Sequence, residues 1–236
     1  MLRVLWIFFL AISAGSVLGL AALLWFYPVL GAGVCPRCFG LQRAAPGLYV
    51  EPGMTGSARR HVLVSMDTAR DRIVDFYSER RAHVRIVACH SERCDRRFGG
   101  RGAAAVTYSL GPFAVVRVSP RGLDATVLAH EIAHTEAHAR LGFVGHVTRK
   151  MPAWFDEGLS VVVSDDPRYL APGTGSERCK VTPAADLPAS PFDWAPRAAR
   201  DPSLYAQAAC AVLLWAEAQG EAGAVHTRLA AGARFP

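Results

Sequence analysis

The chain has 236 residues, 51% hydrophobic and 19% charged, with a formal net charge of +6. That balance suits a folded protein with its own core and excludes extensive disorder. Its arginines are scattered through 59–101 with no aromatic-interleaved basic stripe and no reader motif, so nucleic acid is not an expected partner, and a basic surface near anionic lipid is the plainer reading.

From Val4 to Leu30 there is no charged residue. A bilayer core needs about 20 apolar residues in a helix, so residues 1–30 read as a transmembrane signal anchor with the lipid bilayer as partner. The stretch exceeds the roughly 7–15-residue apolar core of a cleaved signal and has no persuasive small-x-small cleavage site, which favours an uncleaved anchor. Trp25, Tyr27 and Pro28 resemble an interfacial belt and a helix stop. Arg3 precedes the segment while Arg37 and Arg43 follow it, so the positive-inside rule does not fix the orientation.

Residues 31–56, rich in Gly and Pro, read as a linker or lead-in, and 57–236 as the folded domain. Val62, Leu63, Met66, Ile73, Val74 and Phe76 keep approximate helical spacing and predict an amphipathic helix between Ser57 and Glu79. His83 to Cys89 alternates and is β-branched, predicting a strand; a polar, glycine-rich loop follows to Gly102. Two more strands are expected at Ala103–Tyr108 and Phe113–Val118, joined by a Ser-Leu-Gly-Pro turn. A helix is then predicted from Asp124 to Leu141, ended by Gly142, and another from Pro152 to about Val163. Residues 165–202 look like a long irregular connection before a final apolar helix from Ser203 to Gln219. Helix, strands, then helices predict an α+β domain with a small mixed sheet and a helical C-terminal part.

All six cysteines lie beyond the apolar segment. An even number there points to disulfides and an oxidising, extracytoplasmic compartment. Proximity favours Cys35–Cys38 and Cys89–Cys94, leaving Cys179–Cys210, although six cysteines allow other pairings. A redox Cys35–Cys38 pair lacks the βαβ context it would need, and a zinc site from Cys35, Cys38, Cys89 and Cys94 is a minor alternative.

His130-Glu131-Ile132-Ala133-His134 is an H-E-x-x-H pattern on a predicted helix. At about 3.6 residues per turn, positions four apart share a face, so both imidazoles reach one ion. Glu131, close by but not needed as a ligand, is placed to take a proton from an activated water. Two surface histidines on an acidic helix are the bland alternative. Downstream, an acidic pair sits in the apolar stretch Met151-Pro152-Ala153-Trp154-Phe155-Asp156-Glu157-Gly158-Leu159-Ser160. A carboxylate beside Trp154, Phe155 and Leu159 is costly to bury unless a partner such as a metal neutralises it.

H-E-x-x-H followed by P-x-W-x-x-E-G-x-[AS], with 22 residues between His134 and Glu157, resembles the gluzincin branch of the zincin metallopeptidases, especially its small peptidase MA-like members. The specific motif covers only Asp124–Ser164. The resemblance implies a zincin-like fold, Zn2+ on His130, His134 and Glu157, Glu131 as general base, and a peptide or protein substrate. It selects Glu157 over Asp156, whose alternative role is a helix-start charge. It implies that Phe113–Val118 is the edge strand, with Ala114, Val115 and Val116 pairing the substrate backbone. For Tyr205, near the start of the final helix, it offers an oxyanion role beside plain packing.

His138 continues the face of His134, but the metzincin pattern requires a glycine where Ala137 stands, so His138 reads as a supporting or solvent-facing group. His90, His146 and His226 read as surface groups. No G-x-S-x-G elbow appears, and the cysteines lack a nucleophile context. The expected reaction is peptide hydrolysis with Glu131 moving the proton. The pocket residues do not choose exo- or endopeptidase action, but Tyr108-Ser109-Leu110-Gly111-Pro112 lacks a glutamate-containing exopeptidase loop, which favours an endopeptidase or a narrow processing enzyme. The rival is a zinc-stabilised binding or assembly module without turnover, against which the intact Glu131 argues.

Overall fold

The computed structural model describes residues 2–220 and 223–236. Met1, the first residue of the expected anchor, lies outside the described residues. Helix α1 (Leu2–Phe26) contains a 19-residue stretch, Phe8–Phe26, with a mean hydropathy of 2.1 and none of it buried against the rest of the chain. By length and composition it is apolar enough to cross a membrane. Pro28 opens a second short helix, α2 (Pro28–Val34), because a proline at the first helical position loses no hydrogen bond.

A five-stranded mixed sheet follows, built from β1 (Gln42–Ala45), β2 (Leu48–Val50), β3 (His83–Ala88), β4 (Ala105–Leu110) and β5 (Phe113–Val118) in the order β1-β2-β3-β5-β4. β2, β3 and β5 run parallel to one another, and β1 and β4 flank them antiparallel. The tight β4–β5 hairpin turns at Gly111, whose φ of 58° is a left-handed conformation that glycine adopts without strain.

Strand alternation divides the apolar residues between two faces. Leu48, Val50, Ile86, Ala88, Val116 and Val118 are fully buried in the main core. There they meet α3 (Gly56–Tyr77) and α5 (Ala125–Val147). α3 buries Val62, Met66, Ala69, Ile73 and Tyr77, a stripe that keeps the helical period. Thr55 caps its start by accepting a hydrogen bond from the Ala58 amide. On the other face Tyr49, Val87, Tyr108 and Val115 pack with Val29 and Ala32 of α2 and with Phe98. Gly33 lets α2 lie directly on β5, since a Cβ there would collide with the Val115 side chain.

Beyond β3 the chain forms α4 (Glu92–Arg97), capped by Ser91, where a featureless loop is expected from sequence. Its Asp95 makes an ion pair with Arg117 of β5, and both side chains are almost fully buried. Asp124 caps α5 through the amides of Thr126 and Val127, and Gly142, with φ 69° and ψ 175°, breaks the helix before it resumes to Val147. The C-terminal helices are α6 (Ala153–Ser164), α7 (Pro191–Arg200), α8 (Ser203–Ala218) and α9 (Ala224–Ala230). α6 and α8 cross at Gly158, where a Cβ would stand 2.5 Å from the Ala208 carbonyl carbon and 3.0 Å from the Ala209 nitrogen.

The mixed α+β organisation agrees with the sequence reading, but several local expectations do not. Residues 31–56 are not a linker: they supply the end of α2, β1 and β2, with Pro46-Gly47 and Pro52-Gly53 in turns. The irregular stretch 165–202 contains α7, started by Ser190 and Pro191. Phe113–Val118 is not an edge strand, because β3 occupies one side of it and β4 the other. The disulfides Cys35–Cys38 and Cys89–Cys94 are at bonding distance as expected, whereas Cys179 and Cys210 are free thiols. Burial first, and then the neighbouring Cys210, push the Cys179 thiol up to about 12.

Candidate metal centre

α5 carries His130, Glu131 and His134, and its Leu128 and Ile132 bury in the main core beside Phe155 and Leu159 of α6. The two helices are thus fixed against each other by apolar packing. Their remaining faces bring His130, His134 and Glu157 together, with one donor atom of each within 4.8 Å of the others. His130 Nε2 is 3.1 Å from His134 Nε2. Glu157 Oε2 is 3.3 Å from His130 Nε2 and 3.6 Å from His134 Nε2. Ligands about 2.0–2.2 Å from a tetrahedrally coordinated ion stand roughly 3.3–3.6 Å apart, so this triangle has the size of one face of such a site.

The chemistry of the donors agrees with the spacing. His134 Nδ1 lies 2.9 Å from Asp156 Oδ1, an ion-pair distance, although neither atom has a hydrogen-bond partner among the described residues. His134 Nε2 faces a carboxylate oxygen and a second imidazole nitrogen. Acceptors converging on one point in a mostly buried place call for a cation between them. The residues therefore fit a metal ion.

Electrostatics point the same way. Burial opposes ionisation of Glu157, but the charge of His134 and the hydrogen bond with His130 outweigh it and hold the carboxyl at about 2. Burial likewise opposes the charge of Asp156, yet His134 and His138 hold it well below the usual carboxylate range. His134 responds in kind: desolvation disfavours its cation, and Asp156 with Glu157 outweighs that and raises its pKa well above the ordinary value. Two carboxylates facing this histidine cluster demand compensating positive charge, whether protons or a metal.

Asp156 is the residue whose role the sequence least revealed. Its Oδ2 lies 2.8 Å from His138 Nε2, and His138 Nδ1 is 2.5 Å from Ser109 Oγ on β4. Asp156 thus stands between His134 and His138, and it is also the acidic residue in the first turn of α6, as the sequence alternative has it. The group His134, His138 and Asp156 also has ligand-like spacing, but His134 presents its other nitrogen to Glu157 and His130. A third group, Glu51 with Cys89 and Cys94, is closed to metal because both sulfurs are in a disulfide.

Glu131 is buried, and its carboxylate accepts a hydrogen bond of 2.6 Å from Thr107 Oγ1 of β4. β4, not β5, is the strand that lies along α5 and ends the sheet. Ala114, Val115 and Val116 cannot pair a substrate: their backbones sit between β3 and β4, the Ala114 and Val116 side chains are buried, and Val115 lies under α2. Tyr205 of α8 reaches the site wall, with its ring centroid 6.2 Å from that of His130. It stacks on Tyr169 and meets Trp194 edge-on. Burial and then the nearby Glu157 push its phenol up, so it stays neutral. No signal in the sequence marks Tyr169 or Trp194 as neighbours of the site, because both lie in the stretch that reads as irregular.

No protein-family model, no curated protein and no solved structure matches this chain.

Proposed function

We propose that the chain is a zinc-dependent peptidase of the gluzincin type, anchored by α1 with its folded part outside the cytoplasm. The observation that carries the reading is the triangle of His130, His134 and Glu157, of the size a tetrahedral ion requires, with Glu131 beside it and tied to an edge strand. The donor set of two imidazoles and one carboxylate is one that a catalytic zinc takes while keeping a position open. Zinc bound there supplies Lewis acidity and makes water acidic near neutral pH.

The chain's own residues do the rest. Glu131 accepts the proton of the attacking water and passes it to the departing amine. The outer side of β4 offers unpaired backbone groups to an extended peptide, a role the sequence reading gave to β5. Tyr205, kept neutral, holds a donor proton on the site wall for the carbonyl oxygen as it gains charge. Asp156 orients His134 so that Nε2 faces the ligand triangle. The bonded cysteine pairs support an oxidising compartment and hence the extracytoplasmic orientation. Internal cleavage of chains, rather than trimming from an end, agrees with the missing exopeptidase loop before α5.

The test compares the full-length chain in detergent with its Glu131→Gln and His134→Ala variants, measuring zinc by mass spectrometry and cleavage of a peptide library. The expected result is about one zinc per chain in the first two and little in the third, with cleavage only by the unaltered protein. Zinc in a folded chain that cleaves nothing, with or without the exchange, favours a binding module. A folded chain without zinc removes the proposal.

A further inference from the structure

A cleft of about 1280 Å³ contains none of the proposed metal ligands. Leu23 and Tyr27, at the end of α1, form part of its wall, so it opens where that helix would leave the hydrocarbon of a membrane. On the far side stand Leu110 and Phe113 at the tip of the β4–β5 hairpin, each more than half exposed. Large apolar side chains on a rim are costly in water and favourable against lipid.

The polar part of the lining has one sign. Arg70, Arg80, His83 and Arg85 border the cleft, and no carboxylate does among the described residues. Arg70 donates to the Pro46 carbonyl at 2.7 Å, and Arg85 to the carbonyls of Gly33 and Val34 at the end of α2. Both guanidinium groups are thereby fixed while keeping their charge. Asp67, 3.4 Å from Arg70, is exposed and lies outside the lining. Arg80 is exposed, and it is the neighbouring Arg81, not Arg80, that pairs with Glu79. His83 stacks on Phe113, with centroids 5.6 Å apart, which puts a polar ring on the apolar rim. Burial, and then the charge of Arg80, lower the Arg70 pKa, with Asp67 acting against them.

An apolar wall continuous with a membrane helix, joined to arginines whose one carboxylate partner, Asp67 on Arg70, is exposed and outside the lining, matches an anionic amphiphile. We propose that this cleft binds an anionic phospholipid from the bilayer that α1 enters, its chains beside Leu23 and its phosphate at Arg70 and Arg80. Such a lipid would hold the sheet against the membrane surface and fix the height of the domain above it. The proposal rests on α1 spanning the bilayer and is independent of the metal centre.

The test places the full-length chain in nanodiscs of phosphatidylcholine mixed with phosphatidylglycerol and counts the lipids it retains by native mass spectrometry. Phosphatidylglycerol should be retained in clear excess over phosphatidylcholine. Arg80→Glu should lower that ratio roughly fivefold or more, the contribution expected of one arginine at an anionic surface. Arg96→Glu, an equal charge change on exposed α4, should leave it unaltered. An equal fall in both variants would mean diffuse attraction and overturn the site. Loss of the adduct on adding inorganic phosphate would assign the cleft to free phosphate instead, and failure of the chain to enter the discs would remove the premise. Neither result touches zinc content, which reports on the peptidase reading separately.

Discussion

Thr107 Oγ1 donates a 2.6 Å hydrogen bond to Glu131 Oε2, so the last strand of the sheet holds the carboxylate proposed as the base. The same hydroxyl lies 3.3 Å from the Glu131 carbonyl oxygen. Strand and helix are therefore registered at the one residue whose direction matters most for proton transfer. Thr107→Val keeps the shape and removes the donor. It should lower kcat about five- to tenfold, the effect of losing roughly 1–1.5 kcal/mol, with a smaller change in KM and zinc content unaltered. Thr107→Ser should recover most of the rate. A valine variant with full kcat would show that Glu131 is positioned by helix packing alone.

Asp156 and Glu157 are adjacent in sequence and serve different nitrogens. Glu157 faces Nε2 of both histidines, and Asp156 faces Nδ1 of His134. Glu157→Gln removes the charge of the proposed third ligand and should abolish retention of metal through dialysis against a chelator. Asp156→Asn leaves a ligand set intact but loosens His134, and affinity should fall about 10–100-fold. His138→Ala, one contact further out, should cost less than either. Metal titration monitored by competition with a chromophoric chelator separates the three. Equal losses in the two acidic variants would mean that Asp156 is itself a ligand.

The residues that reveal this centre in sequence are those whose spacing is set by one helix. His130, Glu131 and His134 share a turn, so their juxtaposition follows from helical geometry alone. An acidic pair in an apolar helix signals a need for a partner, but only the family resemblance selects Glu157 over Asp156. Thr107 and Ser109 carry no such mark: they reach α5 only because β4 takes the edge of the sheet, and strand order depends on long-range pairing. The edge was misplaced for that reason. Phe113–Val118 is the more apolar strand, and its burial on both sides is what that composition reflects. Residues 42–50 escaped notice because two very short strands between glycines and prolines leave almost no periodicity to read. Cys179 and Cys210 are neighbours as elimination suggested, yet they remain thiols.

Gly158 links the ligand helix to the C-terminal part of the fold. It follows Glu157 and sits where α6 meets the backbone of α8 at Ala208. An added methyl group has no flexible side chain to displace there, only backbone. Gly158→Ala should therefore push α6 and α8 apart, destabilising the chain by about 1–3 kcal/mol. Because Glu157 rides on the same turn, metal affinity should fall with stability. Thermal melting with and without added zinc measures both. A variant that melts normally and holds zinc normally would show that the α6–α8 contact yields at little cost.

Glu51 supplies a pH dependence far from the metal centre. Its Oε2 accepts hydrogen bonds from the amides of His90 and Ser91, at 2.7 and 2.8 Å, and its Oε1 accepts one from Ser91 Oγ at 2.6 Å. These contacts tie the end of β2 to the start of α4. Burial raises the carboxyl's pKa, but the Ser91 and His90 hydrogen bonds and the charge of His90 outweigh it, leaving a net value below the ordinary 4.5. A carboxylate held low in the folded state contributes stability that is fully present above its ordinary value and is lost as pH falls through the folded one. At neutral pH, Glu51→Gln should lower stability by about 1 kcal/mol, or roughly 2–4 °C in melting temperature. As the solution is acidified below the ordinary carboxylate range, the two proteins should converge, because protonation removes the same charge that the exchange removes. Paired thermal melts across that range read the convergence directly, and a difference that stays constant with pH would mean that packing, not charge, carries the contribution of Glu51.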